Sequence, residues 1–212
     1  MSTAARRSLL KRGRGMGEQG RVATLQAARR NLRDYQPVAI PFESGMIAAA
    51  VAVILHDGDE GLEALFIHRA IRAGDTWSGQ IAFPGGRRDP GDGDLLGTAI
   101  RETMEEIGVD LSGAERLGVL DDLYPRTPVL PPVIVRPFVF ALTTRPTIVV
   151  SAEVQDAFWV SFRALQAPGA ASTITVDHPG ITRRVFPAYT LGKHTIWGMS
   201  ERVLTPLISL VS

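Results

Sequence analysis

The sequence predicts an α/β fold, and three stretches carry the prediction. Residues 46–55 (MIAAAVAVIL) form a short continuous apolar run, which suits a buried central strand better than an amphipathic helix. Residues 57–61 are turn-like and residues 63–69 (EALFIHR) read as the partner strand, so the two make a hairpin. Further on, Leu95, Leu96, Ala99, Ile100 and Ile107 recur at helical spacing. A helix there packs one stripe on a core and points another stripe elsewhere, and Gly108 ends it as a C-cap.

The bulk of the chain sets the frame for these elements. At 212 residues and 45% hydrophobic it can fill one core, and a single domain over residues 21–212 is expected. A formal net charge of +1 provides no whole-protein attraction to nucleic acid or to a membrane. The absence of cysteine excludes disulfides, thiolate zinc sites and a cysteine nucleophile, and it fits the reducing cytoplasm, the compartment we expect. No run of 18 or more apolar residues occurs, so no transmembrane helix is expected.

Taken in order, residues 1–20 hold Arg6, Arg7, Lys11, Arg12 and Arg14 against one acid, Glu18, and read as a disordered basic tail. The same composition also fits a transit peptide or a phosphate-attracting arm. Val22, Leu25, Ala28 and Leu32 have helical spacing, with Arg29, Arg30 and Arg33 on the other side, and this helix should stop before Pro37. Residues 72–82 (RAGDTWSGQIA) are a polar connector whose Trp77 either stacks on a base or caps the core.

Beyond the central helix, residues 114–124 and 129–142 read as strands. Pro131, Pro132 and Pro137 place the second at a sheet edge or a bulge. A short strand is expected at 148–150, then Glu153 opens a segment running into a short helix near 162–165. Residues 174–189 form a hairpin, near a substrate mouth or simply at the surface. Residues 195–210 are a strand end and a closing helix, with Met199, Val203, Leu207 and Leu210 on its core stripe and Pro206 as a kink point. The histidines at 56, 68, 178 and 194 show no metal-ligand spacing, so His68 is expected at the surface or in a hydrogen bond.

The central helix and the loop before it concentrate the chemistry. Glu102, Glu105 and Glu106 lie at i, i+3 and i+4 and present three carboxylates on one face, with Arg101 within reach of Glu105. Acidic triplets on helices are usually solvated surface, but this helix opens from a loop with glycines at 85, 86, 91 and 93, where bare backbone can approach a ligand. Carboxylates beside such a loop meet the needs of a hard divalent cation, which takes oxygen ligands and shares its shell with phosphate.

Residues 86–109 resemble the Nudix box, G-x5-E-x7-R-E-U-x-E-E-x-G-U, in which U is aliphatic. Arg101, Glu102, Glu105, Glu106, Gly108 and Val109 match it position by position, and Phe83-Pro84-Gly85-Gly86 is its usual lead-in. Asp92 stands where the pattern has its first Glu, the spacer to Arg101 is one residue longer, and Thr103 fills an aliphatic position. Upstream, Leu65, Arg69, Gly79 and residues 83–86 match in register the additional motif of the coenzyme A pyrophosphatase branch. Asp75 sits where that motif has its second Arg.

The resemblance implies a Nudix fold, an α/β/α sandwich with a central mixed sheet, and a hydrolase that uses Mg2+ or Mn2+. It implies a metal set of Glu102, Glu105, Glu106 and the Gly85 carbonyl, with Arg101 holding Glu105. Substrate contacts are expected from Arg69, Trp77, Gly79 and Gln80. Glu153 is the candidate for the acid that the family places outside the box, as a ligand or a general base, beside its reading as a solvated turn residue; a box glutamate, Glu102 or Glu105 among them, is the alternative base. The implied reaction cleaves the pyrophosphate bond of a nucleoside diphosphate linked to another moiety. Coenzyme A or a derivative is the first reading, and a sugar nucleotide or ADP-ribose is the alternative. The expected partner is a small-molecule nucleotide, with no nucleic acid and no membrane, and homodimerisation is left open. A non-catalytic, nucleotide-sensing relative would be expected to have lost box carboxylates, and all three helical ones are present. A nucleic-acid binder would need a continuing basic face with interleaved aromatics, which the body of the chain does not supply.

Overall fold

A computed structural model describes residues 22–74, 77–125, 132–178 and 181–212. The basic tail, Asp75 and Pro131 lie outside the described residues. In chain order the elements are α1 (Leu25–Arg33), β1 (Ile47–Gly58), β2 (Gly61–Arg69), β3 (Ile81–Ala82), β4 (Gly85–Arg87), α2 (Leu95–Ile107), β5 (Glu115–Val119) and β6 (Val133–Leu142). They continue with β7 (Val154–Ser161), α3 (Phe162–Leu165), β8 (Ala171–His178), β9 (Ile181–Leu191), β10 (His194–Trp197) and α4 (Met199–Val211).

Strands β1 to β7 form one mixed sheet, and β8, β9 and β10 form a second, antiparallel one. The apolar run at 46–55 is the centre of the first sheet: β1 runs parallel to β6 on one side. On its other side β1 meets two partners in succession, β4 opposite Ala49 to Val51 and β2 opposite Leu55 to Gly58. Successive side chains of a strand point to opposite faces, and the core divides accordingly. Ala49, Val53 and Leu55 join the layer covered by α1 and α4, which also holds Leu32, Leu204 and Leu207. Ala50, Ala52 and Ile54 join the layer under α2, with Leu95, Ala99 and Ile107. This is an α/β/α sandwich, as the sequence predicts.

Two expectations need correction. β6 is an interior strand, paired to β1 and to β5, not an edge. Pro137 is accommodated because a strand residue's N–H and C=O point to the same side, and on that side its carbonyl accepts from the Leu120 amide (3.0 Å) just past the end of β5. The missing N–H therefore falls in the gap between the last β5–β6 pair, Val119 with Phe138, and the isolated bridge of Leu123 with Val135. The bulge lies instead in β5, between Arg116 and Gly118. Residues 148–150 are extended but pair with no strand. The Val149 amide donates to the Ile107 carbonyl (3.0 Å) and the Ser151 amide to the Glu106 carbonyl (2.9 Å), which caps the orphan carbonyls at the end of α2. The closing helix forms as predicted with Pro206 inside it, and no described helix is long and apolar enough to cross a membrane.

Candidate active site

The site begins with two glycines. Gly85 sits at φ +149°, and a Cβ there would collide with the Ala50 carbonyl and the Val51 Cα, so only glycine lets β4 close onto β1. A Cβ on Gly86 would collide with the Glu102 carboxylate, so the second glycine makes room for that side chain. Asp94 caps that helix by accepting from the Gly97 amide at 2.8 Å, and Gly108 ends it in the left-handed conformation (φ 69°).

The three helical carboxylates are treated differently by this frame. Glu106 is 3% exposed, accepts from the Gly85 amide at 2.9 Å, and has Arg69 at 3.5 Å. Burial pushes its carboxyl up to about 7 against the pull of Gly85 and Arg69, with the charges of Glu102 and Glu153 adding to the rise. Glu102 is also raised, chiefly by burial. Glu105 is 59% exposed and bound by Arg101 at 2.9 Å. Glu102 and Glu106 line the cleft, whereas Glu105 and Arg101 do not.

Arg101 is a hub. Its guanidinium donates to both oxygens of Asp92 (2.8 and 2.9 Å) and to the Arg87 carbonyl (3.1 Å), while reaching Glu102 at 3.0 Å and Glu105. Asp92 also accepts from the Asp89 amide and the Thr98 hydroxyl. Those bonds, Arg101's foremost, hold its carboxyl well below the usual range, so Asp92 anchors the arginine and has no oxygen to spare.

The cleft beside these groups has a volume of about 390 Å³. Arg69, Trp77, Gln80, Gly85, Glu102, Glu106 and Glu153 of the predicted residues all reach it. Gly79 does not; it shapes the preceding turn at φ 70°. Trp77 packs on the core layer under α4, in keeping with its core reading, and also lines the cleft. Glu153 is half exposed and paired with Arg72 at 2.8 Å, and its backbone carbonyl accepts from the Ala70 amide. His68 packs edge-on against the His194 ring, away from the cleft lining.

Among the described residues, no three His, Cys, Asp or Glu side chains converge as a ready ligand cluster. The donor set still suits a hard divalent cation. Glu102 and Glu106 bring carboxylates of raised proton affinity to one wall, and Arg69 is the cation beside Glu106.

The NUDIX domain model matches residues 46–183, well over half of the chain, including the two glycines and α2. The protein belongs to the Nudix family. It is 30% identical over 145 residues to the mitochondrial coenzyme A diphosphatase NUDT8 of Mus musculus, covering 68% of this chain and 67% of that one. It is 36% identical over 133 residues to the peroxisomal coenzyme A diphosphatase ndx-8 of Caenorhabditis elegans, covering 61% and 55%. An uncharacterized protein of Schizosaccharomyces pombe is 33% identical over 130 residues, covering 59% of this chain but 40% of that one. The chain thus spans between two fifths and two thirds of the length of these relatives. Among solved structures, a MutT/nudix family protein from Enterococcus faecalis superposes over 96% of this chain and 72% of its own, with a TM-score of 0.53 and 19% identity, which is a likeness of fold.

In this Nudix site three residues escape sequence reasoning. Arg87 lines the cleft one residue beyond the glycine pair, and its place in the glycine loop was the available signal. Met199 and Ser200 arrive from the start of α4, about a hundred residues from the box and in no motif, so only the fold brings them in.

Proposed function

We propose that this Nudix protein hydrolyses the pyrophosphate bond of coenzyme A or a close derivative. The observation that supports this best is the buried Glu106, bonded to the Gly85 amide at the floor of a cleft that Glu102, Glu153, Arg69 and Trp77 also line. In the reaction a water oxygen bonds to one phosphorus while the bridging oxygen leaves with the other phosphate, and the water's proton passes to a carboxylate. Glu102, Glu105, Glu106 and the Gly85 carbonyl are the groups that would hold Mg2+ or Mn2+. Such an ion supplies positive charge against the anhydride oxygens and acidity to the attacking water.

The chain's own groups do the rest. Gly85 and Arg69 orient Glu106, and Arg101, fixed by Asp92, orients Glu105 at the rim. Glu153 has one oxygen on Arg72, which leaves the other to accept the proton. Trp77 offers a flat apolar surface for an adenine ring.

A second reading, hydrolysis of ADP-ribose or a sugar nucleotide, is favoured by Asp75, which replaces a phosphate-suited arginine of the coenzyme A motif. Product release from coenzyme A, ADP-ribose and a sugar nucleotide, each with Mg2+ or Mn2+ and with Glu105→Gln as control, separates the two. Preferential turnover of coenzyme A is expected; turnover confined to ADP-ribose or the sugar nucleotide would refute the first reading in favour of the second.

A further inference from the structure

The first turn of α4 enters the cleft from the layer opposite α2. Ala49, Val51, Val133 and Val135, which line the cleft, belong to the core layer under α4, whereas α2 packs on the other face of the sheet. The acidic wall and the start of α4 therefore approach the same cavity from opposite sides. Gly198, the N-cap, has φ 68° and ψ −128° and no side chain to offer the helix. The first intrahelical bond runs from the Arg202 amide to the Gly198 carbonyl, so the amides of Met199, Ser200 and Glu201 precede it. Such amides carry the positive end of the helix dipole.

Ser200 is the independent observation. The residue is 8% exposed, lines the cleft, and among the described residues its hydroxyl makes no hydrogen bond. A hydroxyl with no protein partner, on a residue otherwise buried that lines a cavity, is a ligand-facing group. Glu201, the acidic residue of the same turn, does not compete for that space: its carboxylate accepts from the Thr205 hydroxyl at 2.7 Å, one turn along the helix, and is absent from the cleft lining. Arg87 adds a cation to the same cavity, and among the described residues no carboxylate forms a recorded ion pair with its side chain.

We propose that the first turn of α4, with Ser200, is an anion subsite for a phosphate group of the substrate other than the anhydride being cleaved. This inference rests on the coenzyme A reading. In coenzyme A such a group is the 3′-phosphate of the ribose, and dephospho-coenzyme A lacks it. Carboxylates on one wall and uncommitted amides on the other would seat the anhydride and the phosphomonoester at separate ends of one cleft. The subsite also offers an answer to Asp75: donors on the opposite layer take over the phosphate-holding role of the arginine that Asp75 replaces in the motif.

The test uses the full chain and two probes, adenosine 3′,5′-bisphosphate and AMP, titrated calorimetrically into wild type, Ser200→Ala and Ser200→Asp in the presence of EDTA. Wild type is expected to bind the bisphosphate at least about 10-fold more tightly than AMP, in keeping with charge-assisted hydrogen bonds to one phosphate. Ser200→Ala should narrow that ratio and Ser200→Asp abolish it. An acid in a helix's first turn favours the helix, so Ser200→Asp should keep the fold, checked by circular dichroism. Equal affinity for the two probes in wild type, or an unchanged ratio in Ser200→Asp, would overturn the subsite. Coenzyme A turnover is measured separately. A protein that prefers the bisphosphate yet leaves coenzyme A intact retains the subsite and refutes the substrate reading alone.

Discussion

Replacing Glu106 by Gln should make the metal-free protein more stable while destroying its activity. The carboxyl of Glu106 is raised from 4.5 to about 7 by burial, which means that the fold holds its proton more tightly than the unfolded chain does. The sign follows from linkage. Below pH 4.5 both states carry the proton and there is no penalty. As pH rises from 4.5 to about 7 the unfolded state loses its proton first and stability falls; above 7 the deficit is constant. That interval corresponds to about 3 kcal/mol. Glutamine keeps the volume and a carbonyl for the Gly85 amide, but loses a charge-assisted bond and turns an amide toward Arg69, which takes back about half. The expected gain is about 1–2 kcal/mol at pH 8, vanishing near pH 4.5, read by urea unfolding in EDTA. Added Mg2+ should then stabilise wild type and leave Glu106→Gln unmoved. A variant no more stable than wild type at pH 8, or a difference that ignores pH, would refute the account of a strained, buried carboxylate.

Other consequences can be checked in the same preparations. Glu105→Gln should lower kcat at least about 100-fold with Tm little changed, because its side chain is 59% exposed and its ion pair with Arg101 lies at the surface. Asp92→Asn should cost about 3 kcal/mol in stability, since it leaves Arg101 without its buried partner. Because Asp92 titrates below its unfolded value, its contribution is present above about pH 4 and lost as pH falls, so the variant's stability should depend less on acid than that of wild type. Tyr35 donates to Asp121 at 2.8 Å and its phenol is pushed up to about 12, chiefly by burial. Its stabilising effect holds below pH 10 and is lost between 10 and 12, so Tyr35→Phe should flatten the alkaline limb of a stability–pH curve.

How far the site was legible depended on whether spacing alone placed a residue. The box helix was readable because helical periodicity and the Gly-rich lead-in are local, and α2 begins and ends at Asp94 and Gly108 as such residues dictate. Spacing put Glu102, Glu105 and Glu106 on one face, but it could not tell that Gly85 would draw Glu106 inward while Arg101 held Glu105 at the rim. Asp92 reads in sequence as a substituted box acid, and only its bonds reveal an anchor. Pro137 misled because prolines disfavour interior strands, yet a gap between the β5 ladder and the Leu123–Val135 bridge leaves room for it. Ser200 carries no local signal at all. Its position is a product of how α4 packs against a sheet built from the other end of the chain.

The strap at 149–153 ties two acids together largely through main chain, with the Ser151 hydroxyl accepting from the Glu153 amide. Its amides at Val149 and Ser151 tie to the end of α2, where Glu106 sits, and the carbonyl of Glu153 ties to Ala70 beyond β2. Val149 is meanwhile 67% exposed. Side chains at 149, 150 and 152 are thus free to drift among homologues, while proline at 149 or 151, or a change in its length, would shift Glu153 relative to Glu106. Ahead of Glu153 it should look variable in composition and invariant in length, a segment whose constraint a residue-by-residue comparison would not detect.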